Sequence, residues 1–334
     1  MTKKIYLIAF ALVVLFLTFS TPTVAQNTNP CLAYTTWWFP DPMPPGFFYY
    51  GPYPGGYVYL IATWTAACSP PAFCPKCPIP LVSQPVSLAT GDTFIEEVDA
   101  KIPGLGGGLN VTRTWHSVWP PLLAAYSIGI FGPSWHSTYE EKIVIPSDNY
   151  IRYIRGDGSV WVFGSNAGTF QVASPANYSA TLTSGTTTWV LTFQNGEQRQ
   201  FDLATGHLNA IIDRNGNTTQ LTYDSSNRLV TVTSPASQHL YFNYQNGSSF
   251  LVTSLTSDFG LTLSYAYDTE GRLIQVTRPD LTTISFTYNT QSQITQVTDS
   301  NGKILESHTY DSNGRGLTSS QANGVNAVTV TYLQ

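Results

Sequence analysis

The sequence contains few charged residues. Asp, Glu, Lys and Arg make up 10% of its 334 residues, against about 25% in an average soluble domain. The net charge is −5, and the 15 basic residues form no dense cluster. Nucleic acids and anionic membranes are recognised through clustered Lys and Arg, so neither is expected as a partner. Thr, Ser, Asn, Gly and aromatic residues fill the deficit, and these residue types favour strands and turns.

Helical periodicity and catalytic motifs are also lacking. After residue 25, no apolar period of 3.6 is sustained over about ten residues, and no Gly-x-Ser-x-Gly sequence occurs. His116 and His136 share a Trp-His-Ser context but lack the acidic and histidine spacing of a zinc site. We therefore predict that the chain is not an enzyme, with no catalytic, cofactor-binding or metal-binding residues.

Three loop motifs favour turns over ligand binding. The glycine-rich residues 104–108 lack the Gly-Lys-Ser/Thr ending of a phosphate loop. The segments that begin at Asp213 and Asp299 contain part of a calcium-loop pattern without its closing Glu. Hairpin turns are predicted at both.

A single long apolar run occurs, at the amino terminus. Lys3 and Lys4 precede 15 residues, 5–19, fewer than the roughly 20 that span a bilayer as a helix. Thr23 and Ala25 match the small residues of a signal-peptidase site. Residues 1–25 are therefore predicted to be a signal peptide. The exported chain is expected to be secreted, periplasmic or on the cell surface, with no membrane insertion after cleavage.

The four cysteines are Cys31, Cys68, Cys74 and Cys77. Export places them in an oxidising compartment, which favours disulfides, and three pairings remain open. Cys74 and Cys77 have a spacing found in zinc sites, but a second such pair is missing.

Residues 26–82 are rich in proline and aromatic residues, with twelve aromatics between Tyr34 and Trp64. The prolines predict an extended or looped chain. The aromatic residues either pack against the next domain or form a stacking surface for an extracellular glycan. The candidates for that surface are Trp37, Trp38, Tyr49, Tyr50 and Trp64.

Residues 83–195 are predicted to form a β-domain. β-Branched and aromatic residues are concentrated at 109–115, 137–145, 159–163 and 187–193, with turn sequences such as Asn195-Gly196 between them.

From residue 196 to 334 the chain repeats. An aromatic residue recurs at steps of 22, 21, 23, 21, 22 and 22 residues, which marks a repeat array. In most copies a polar residue follows it. These anchors are Phe201-Asp202, Tyr223-Asp224, Tyr244, Tyr267-Asp268, Tyr288, Tyr310-Asp311 and Tyr332.

Each repeat has the pattern of a β-hairpin. Apolar residues alternate before the anchor, as in Leu263, Tyr265 and Tyr267, which predicts a half-buried strand. A second short strand follows, and its apolar pair, such as Leu273 and Val276, is spaced by three, which suggests a bulge. A lone hairpin is marginal, so successive hairpins should pair in one long antiparallel sheet.

The repeat resembles the YD repeat of RHS proteins, wall-associated proteins and teneurins. The motif Tyr-Asp-x-x-Gly-Arg-Leu is complete from Tyr267 and Asp268 through Gly271 and Arg272 to Leu273. Partial matches contain Arg228 after Asp224, and Gly314 and Arg315 after Asp311. Residues 85–99, 102–115 and 131–143 look like the domain of unknown function that precedes RHS repeats.

The resemblance implies an all-β fold in which the amino-terminal β-domain continues into a spiral of hairpins, part of a hollow shell around a carboxy-terminal effector or toxin. The core motif and tip that end such shells are lacking. We therefore expect a gene fragment or a short scaffold that binds a partner polypeptide or associates with itself. The alternative is a glycan-binding or adhesion module. The repeated Asp and Arg are expected to order the connections, or else to bind a polymer along the sheet.

Overall fold

The computed structural model describes residues 32–39, 49–53, 56–64, 81–82, 86–87, 90–166, 169–174, 178–245 and 249–332. The predicted signal peptide and the four cysteines lie outside these residues. Side chains are described from residue 86 onward, except at positions 165, 166, 169 and 323. The chain divides into two compact units, residues 1–65 and 66–334.

The fold is almost entirely β, as predicted. In the described residues the helical elements are three 3-10 turns, at Leu105–Gly107, Pro121–Tyr126 and Ala322–Gly324. None of the described segments forms a helix long and apolar enough to cross a membrane.

The first unit contains an antiparallel sheet of three strands: β1 (Leu32–Phe39), β2 (Tyr49–Tyr53) and β3 (Gly56–Trp64). Their order is β1-β3-β2. The prolines predicted an extended or looped chain here, and the structure has an antiparallel ladder. The central strand β3 contains no proline, and Pro52 lies on the edge strand β2, where a missing N–H is tolerated.

The second unit begins with short strands that lead into a three-stranded sheet in the order β10-β7-β6. The strands are β4 (Leu81–Val82), β5 (Val86–Ser87), β6 (Phe94–Ile102), β7 (Leu109–His116), β8 (Ile128–Gly129), β9 (Gly132–Pro133) and β10 (Trp135–Ser137). We call residues 86–141 the leader segment.

The single strand expected over residues 137–145 is wrong. A turn interrupts it, because the backbone N–H of Glu140 donates to the Ser137 carbonyl at 2.9 Å. The chain leaves the leader sheet at this turn and starts a different one.

A sheet of 19 strands follows, each antiparallel to its neighbours in sequence order. The strands are β11 (Lys142–Val144), β12 (Ile151–Ile154), β13 (Val160–Asn166), β14 (Thr169–Ser174), β15 (Ala180–Ser184), β16 (Thr188–Phe193), β17 (Gln198–Asp202), β18 (Leu208–Ile212), β19 (Thr218–Tyr223), β20 (Leu229–Thr233), β21 (His239–Tyr244), β22 (Val252–Ser257), β23 (Thr262–Tyr267), β24 (Leu273–Thr277), β25 (Thr283–Tyr288), β26 (Ile294–Asp299), β27 (Ile304–Tyr310), β28 (Gly316–Gln321) and β29 (Val328–Thr329).

One face of the repeat hairpins is buried and the other is polar. In β23, Leu263 and Tyr265 are buried while Thr262 and Ser264 are exposed. In β24, Leu273 and Val276 are both buried. A bulge causes this spacing of three, since Tyr267 pairs with Leu273 whereas Ala266 pairs with Gln275. The buried face contacts the leader segment and forms one continuous core with it.

The outer edge of β11 is covered by a turn of the same sheet. The backbone N–H of Ile143 donates to the Gly206 carbonyl at 2.9 Å, and Lys142 forms a bridge with His207. Gly206 has a φ of +71°, and a Cβ there would overlap the Ile143 carbonyl. The first edge of the long sheet is therefore closed to further strands.

The hairpin turn before β25 predicts a stabilising substitution. Leu281 has a φ of +67° and is 81% exposed, whereas Gly302 holds the equivalent place in the next such turn. A Cβ in this left-handed conformation costs about 1 kcal/mol. Leu281→Gly should raise the free energy of unfolding by up to about 1 kcal/mol, measured in urea. Leu281→Ala keeps the Cβ and should give no such gain. An equal gain from both variants would show that removing the exposed side chain, not relieving φ, was responsible.

Candidate functional site

A ladder of tyrosine hydrogen bonds connects the repeats. Each anchor hydroxyl donates to a backbone carbonyl of the preceding repeat. The bonds run from Tyr223 to Leu208 (2.8 Å), Tyr244 to Leu229 (2.8 Å), Tyr267 to Val252 (2.7 Å), Tyr288 to Leu273 (2.8 Å), Tyr310 to Ile294 (2.6 Å) and Tyr332 to Gly316 (2.8 Å). Phe201, the first anchor, has no hydroxyl and is fully buried.

The accepting carbonyl always belongs to a bulge. Leu229, which accepts from Tyr244, is itself the residue paired with the previous anchor, Tyr223. The same relation holds at Leu273 between Tyr267 and Tyr288. A bulge disrupts the regular ladder of backbone bonds, and the tyrosine supplies a donor at that point. The 21- to 23-residue period is therefore the distance between consecutive bulges along this ladder.

The aspartate of the motif closes the turn that follows the anchor. Oδ1 of Asp268 accepts the backbone N–H of Arg272 at 2.9 Å and of Glu270 at 3.0 Å. Gly271 adopts a φ of +75° inside this turn. Asp224 and Asp311 accept the equivalent bonds. The backbone N–H of Arg228, together with its side chain, holds the pKa of Asp224 below its ordinary value.

The arginine of the motif joins one repeat to the next. Arg272 pairs with Asp268, Nε to Oδ2, at 2.6 Å. Its guanidinium also lies 5.1 Å from the ring centre of Tyr288, the next anchor. The corresponding distances are 4.9 Å from Arg228 to Tyr244 and 4.0 Å from Arg315 to Tyr332. These arrangements have the geometry of cation–π contacts.

Repeats that depart from the motif close the same turn with other groups. After Tyr288, Oδ1 of Asn289 accepts the backbone N–H groups of Gln291 and Gln293, both at 3.0 Å. Nδ2 of Asn289 donates to the Gln293 side chain at 2.7 Å. An amide pair thus replaces the Asp–Arg pair. After Phe201, Asp202 caps its turn through Thr205.

The leader segment lies against four successive repeats, each through an aromatic pair. Tyr139 contacts Phe242, Phe131 contacts Tyr265, Trp135 contacts Phe286, and Trp115 contacts Tyr310, with ring centres 4.8–6.4 Å apart. Backbone bonds add to these contacts. The N–H of Val252 donates to Ile130 and that of Gly316 donates to Gly91.

The leader also explains a departure from the motif. Gly316 stands where complete repeats have Leu, and a Cβ there would overlap the hydroxyl oxygen of Thr93. The leader therefore occupies the space that the leucine side chain fills elsewhere.

A buried ion pair lies at the centre of this contact. Arg113 is 1% exposed and Asp99 is 4% exposed, and Nε and Oδ2 are 2.5 Å apart. The Tyr265 hydroxyl donates to the same carboxylate at 2.7 Å, and the Arg113 guanidinium lies 4.7 Å from the Trp135 ring. Burial alone would lower the pKa of Arg113, but the Asp99 carboxylate raises it above its ordinary value. Removing one partner of such a pair leaves the other charge buried without compensation, which lowers the free energy of unfolding by about 3–5 kcal/mol.

Sequence reasoning missed this cluster, although a signal existed. Leu109, Val111 and Trp115 alternate on the buried face of β7, and Arg113 continues their series. An arginine in register with buried apolar residues requires a buried acceptor.

The two histidines considered as ligands do not form a reactive pair. Nδ1 of His116 is 2.8 Å from the Asp92 carboxylate and Nε2 is 2.7 Å from the Asp157 carbonyl. Both partners are acceptors, so both ring nitrogens are engaged. The Trp119 ring contacts both histidine rings. Burial lowers the pKa of His136 to about 3.

The remaining candidates occupy separate places. The loops at Asp213 and Asp299 are hairpin turns in which each carboxylate accepts backbone N–H groups. Within the described residues, no group of three or more His, Cys, Asp or Glu could hold a metal. Trp37 and Trp38 lie in β1, Tyr49 and Tyr50 in β2, and Trp64 ends β3, but their side chains lie outside the description.

Three family models match successive parts of the chain. DUF6531, a domain of unknown function, matches residues 83–163. The RHS Repeat model matches residues 201–239 and the Teneurin YD-shell model matches residues 252–319. These matches confirm the family resemblance drawn from the motifs.

Curated relatives and solved structures match at low identity. The chain is 29% identical over 206 residues to the tRNA nuclease WapA of Bacillus subtilis strain 168 and to the tRNA3(Ser)-specific nuclease WapA of Bacillus spizizenii. Each match covers 56% of this chain and 8% of the relative.

Among solved structures, the TcdB2-TccC3-Cdc42 crystal structure is 12% identical and a Photorhabdus luminescens Tc holotoxin pore is 13% identical, both with a TM-score of 0.29. They cover 68% and 69% of this chain and 14% of theirs. The chain thus spans a small part of the length of each of these proteins.

The ladder predicts that removing the hydroxyl of one anchor tyrosine lowers the free energy of unfolding by a measurable amount. Tyr267→Phe leaves the Val252 carbonyl without its donor and should lower the free energy of unfolding by about 1 kcal/mol in urea titrations. Tyr241 provides a matched control, since it lies exposed on the opposite face of β21. Tyr241→Phe should change stability by a few tenths of a kcal/mol at most. Equal losses in both variants would refute the contribution of the ladder.

Proposed function

Since this chain is an RHS/YD-repeat protein with an amino-terminal DUF6531 domain, we propose that it is an exported, non-catalytic scaffold. In this proposal its repeat sheet forms part of a shell that encloses or displays another polypeptide. The signal-peptide pattern at residues 1–25 supports export. The partner is an effector, further shell repeats or a second copy of the chain.

The tyrosine ladder is the observation that carries the proposal. An equivalent hydrogen bond runs from each anchor tyrosine to the residue paired with the preceding anchor, from Phe201 to Tyr332, so each repeat is joined to the one before it. Such a unit builds a wall by repetition, as solenoid arrays do. One face of the sheet is buried and the other is rich in Thr, Ser and Gln. A sheet with these two faces can separate the interior of a shell from solvent.

Several polar groups buried in the described residues serve packing. Asp99 and Arg113 fix the leader to the repeats, and both nitrogens of His116 are engaged. The names of the Bacillus relatives describe those proteins as tRNA nucleases. This chain spans 8% of the length of the relative from Bacillus subtilis strain 168. The contacts of its own described residues support a structural role for this chain.

The last described strand offers an edge for a partner. Val330 donates its N–H to Leu317 at 2.8 Å, and backbone groups alternate in direction along a strand, so the N–H of Thr329 faces away from β28. Within residues 249–332 no strand pairs with this far side of β29. Exposed edges of this kind recruit further strands.

The exposed edge of β29 predicts that the protein associates with itself and that the backbone N–H of Thr329 contributes to the contact. Light scattering should show that the purified protein associates with itself as its concentration rises. Thr329→Pro removes the outward N–H and should weaken association about tenfold, the equivalent of about 1.4 kcal/mol. Thr329→Ser keeps the N–H and should behave as the parent. If the proline variant associates as strongly as the serine variant, the edge of β29 is not the contact.

A further inference from the structure

A cavity of about 520 Å³ lies where the leader meets the first repeats. Ile128 and Ile130 of the leader, Ile154 of β12, Leu229 of β20 and Phe250 supply apolar walls. Cavities that bind small molecules have this size and combine apolar walls with a few polar groups. The polar groups that line the cavity include Glu140, Glu141, Lys142 and His207.

Lys142 is the cation of this cavity. Its ammonium lies 3.1 Å from Nε2 of His207. An ammonium has three N–H donors, so two remain for another acceptor. The side chain is partly buried, whereas Lys101 and Lys303 are exposed. Burial, then the nearby Lys142, lowers the pKa of His207 to about 4, so His207 is neutral near pH 7 and accepts the bond from Lys142.

Glu140 is the second polar group. Oε1 accepts the backbone N–H of Ile130 at 2.6 Å and Oε2 accepts the Ser137 hydroxyl at 2.7 Å. Burial raises the pKa of Glu140 to about 7. Below that pH the group is a neutral acid that can donate a hydrogen bond. Above it the carboxylate repels another anion.

Burial shifts the pKa of several other titratable groups near Glu140. Burial lowers the pKa of His136 on β10 to about 3. It raises the pKa of Tyr139 and of the anchors Tyr223, Tyr244 and Tyr267 above the ordinary value. Glu141 is bonded to Tyr153 and Arg199, and Tyr126 also lines the cavity.

We propose that this cavity binds a carboxylate group attached to an apolar body, with Lys142 as its cationic partner and Glu140 as the group that sets its pH dependence. The site goes beyond the scaffold function, because it needs neither a shell partner nor the edge of β29. A small organic acid and the carboxy terminus of a polypeptide both have this chemistry.

Ligand-observed NMR titration of the purified protein with 2-naphthoate tests the site. Binding should be saturable and about tenfold tighter at pH 6 than at pH 8, since the protonated fraction of a group with a pKa near 7 falls about tenfold over that range. 2-Naphthylmethylamine has the same apolar body and a positive charge, and it should bind at least tenfold more weakly than 2-naphthoate at pH 6.

Substitutions assign the two roles. Lys142→Met should weaken 2-naphthoate binding at least tenfold, while Lys303→Met, at an exposed lysine, should leave it unchanged. Glu140→Gln keeps the shape of the side chain without its titration, so binding at pH 8 should match binding at pH 6. Circular dichroism confirms that each variant is folded, and the comparison of acid with amine in the parent protein needs no variant.

The source of the carboxylate is resolved by a peptide pair, N-acetyl-Gly-Phe with a free or an amidated carboxy terminus. Tighter binding of the free peptide than of 2-naphthoate supports the site and indicates a polypeptide terminus. The reverse order supports the site and indicates a small organic acid. The proposal is overturned if neither carboxylate binds, if the amine binds as well as the acid, or if Glu140→Gln retains the pH dependence.

Discussion

The hydrogen bond from each anchor tyrosine to the bulge of the preceding repeat is the contact on which the long sheet depends. A hairpin of about 22 residues buries too little apolar surface to be stable alone. The bulge places two apolar residues three apart on the buried face, but it disrupts the backbone ladder. The tyrosine of the next repeat bonds to that point and buries its ring, so the irregularity in one repeat becomes the attachment site of the next.

The leader segment turns this array into a folded unit. Its aromatic residues meet four successive repeats, from Phe242 to Tyr310, and its backbone bonds to the bulge residues Val252 and Gly316. At the centre lies the Asp99–Arg113 pair, which is costly to bury and strongly destabilising to break. A buried charge pair in this contact favours one position of the leader along a sheet whose repeats resemble one another.

Much of the repeat array was visible in the sequence, because its contacts are local and periodic. The alternation before Tyr267 and the spacing of Leu273 and Val276 predicted the hairpins and their bulge. The place of Tyr265 beside Arg113 and Asp99 could not be found, since Tyr265 lies over 150 residues away and nothing in the sequence links it to them. The cavity lined by Glu140, Lys142 and His207 was missed for the same reason. The turn at Ser137 was hidden because its flanking residues keep a strand-like composition.

Native-state hydrogen exchange tests the central claim most directly. If the tyrosine ladder couples the repeats, the most protected amides in the strands from β19 to β28 should exchange through one shared opening, with the same free energy from repeat to repeat. Protection that instead differs from hairpin to hairpin, each opening independently of its neighbours, would contradict the account and reduce the ladder to a local feature of separate hairpins.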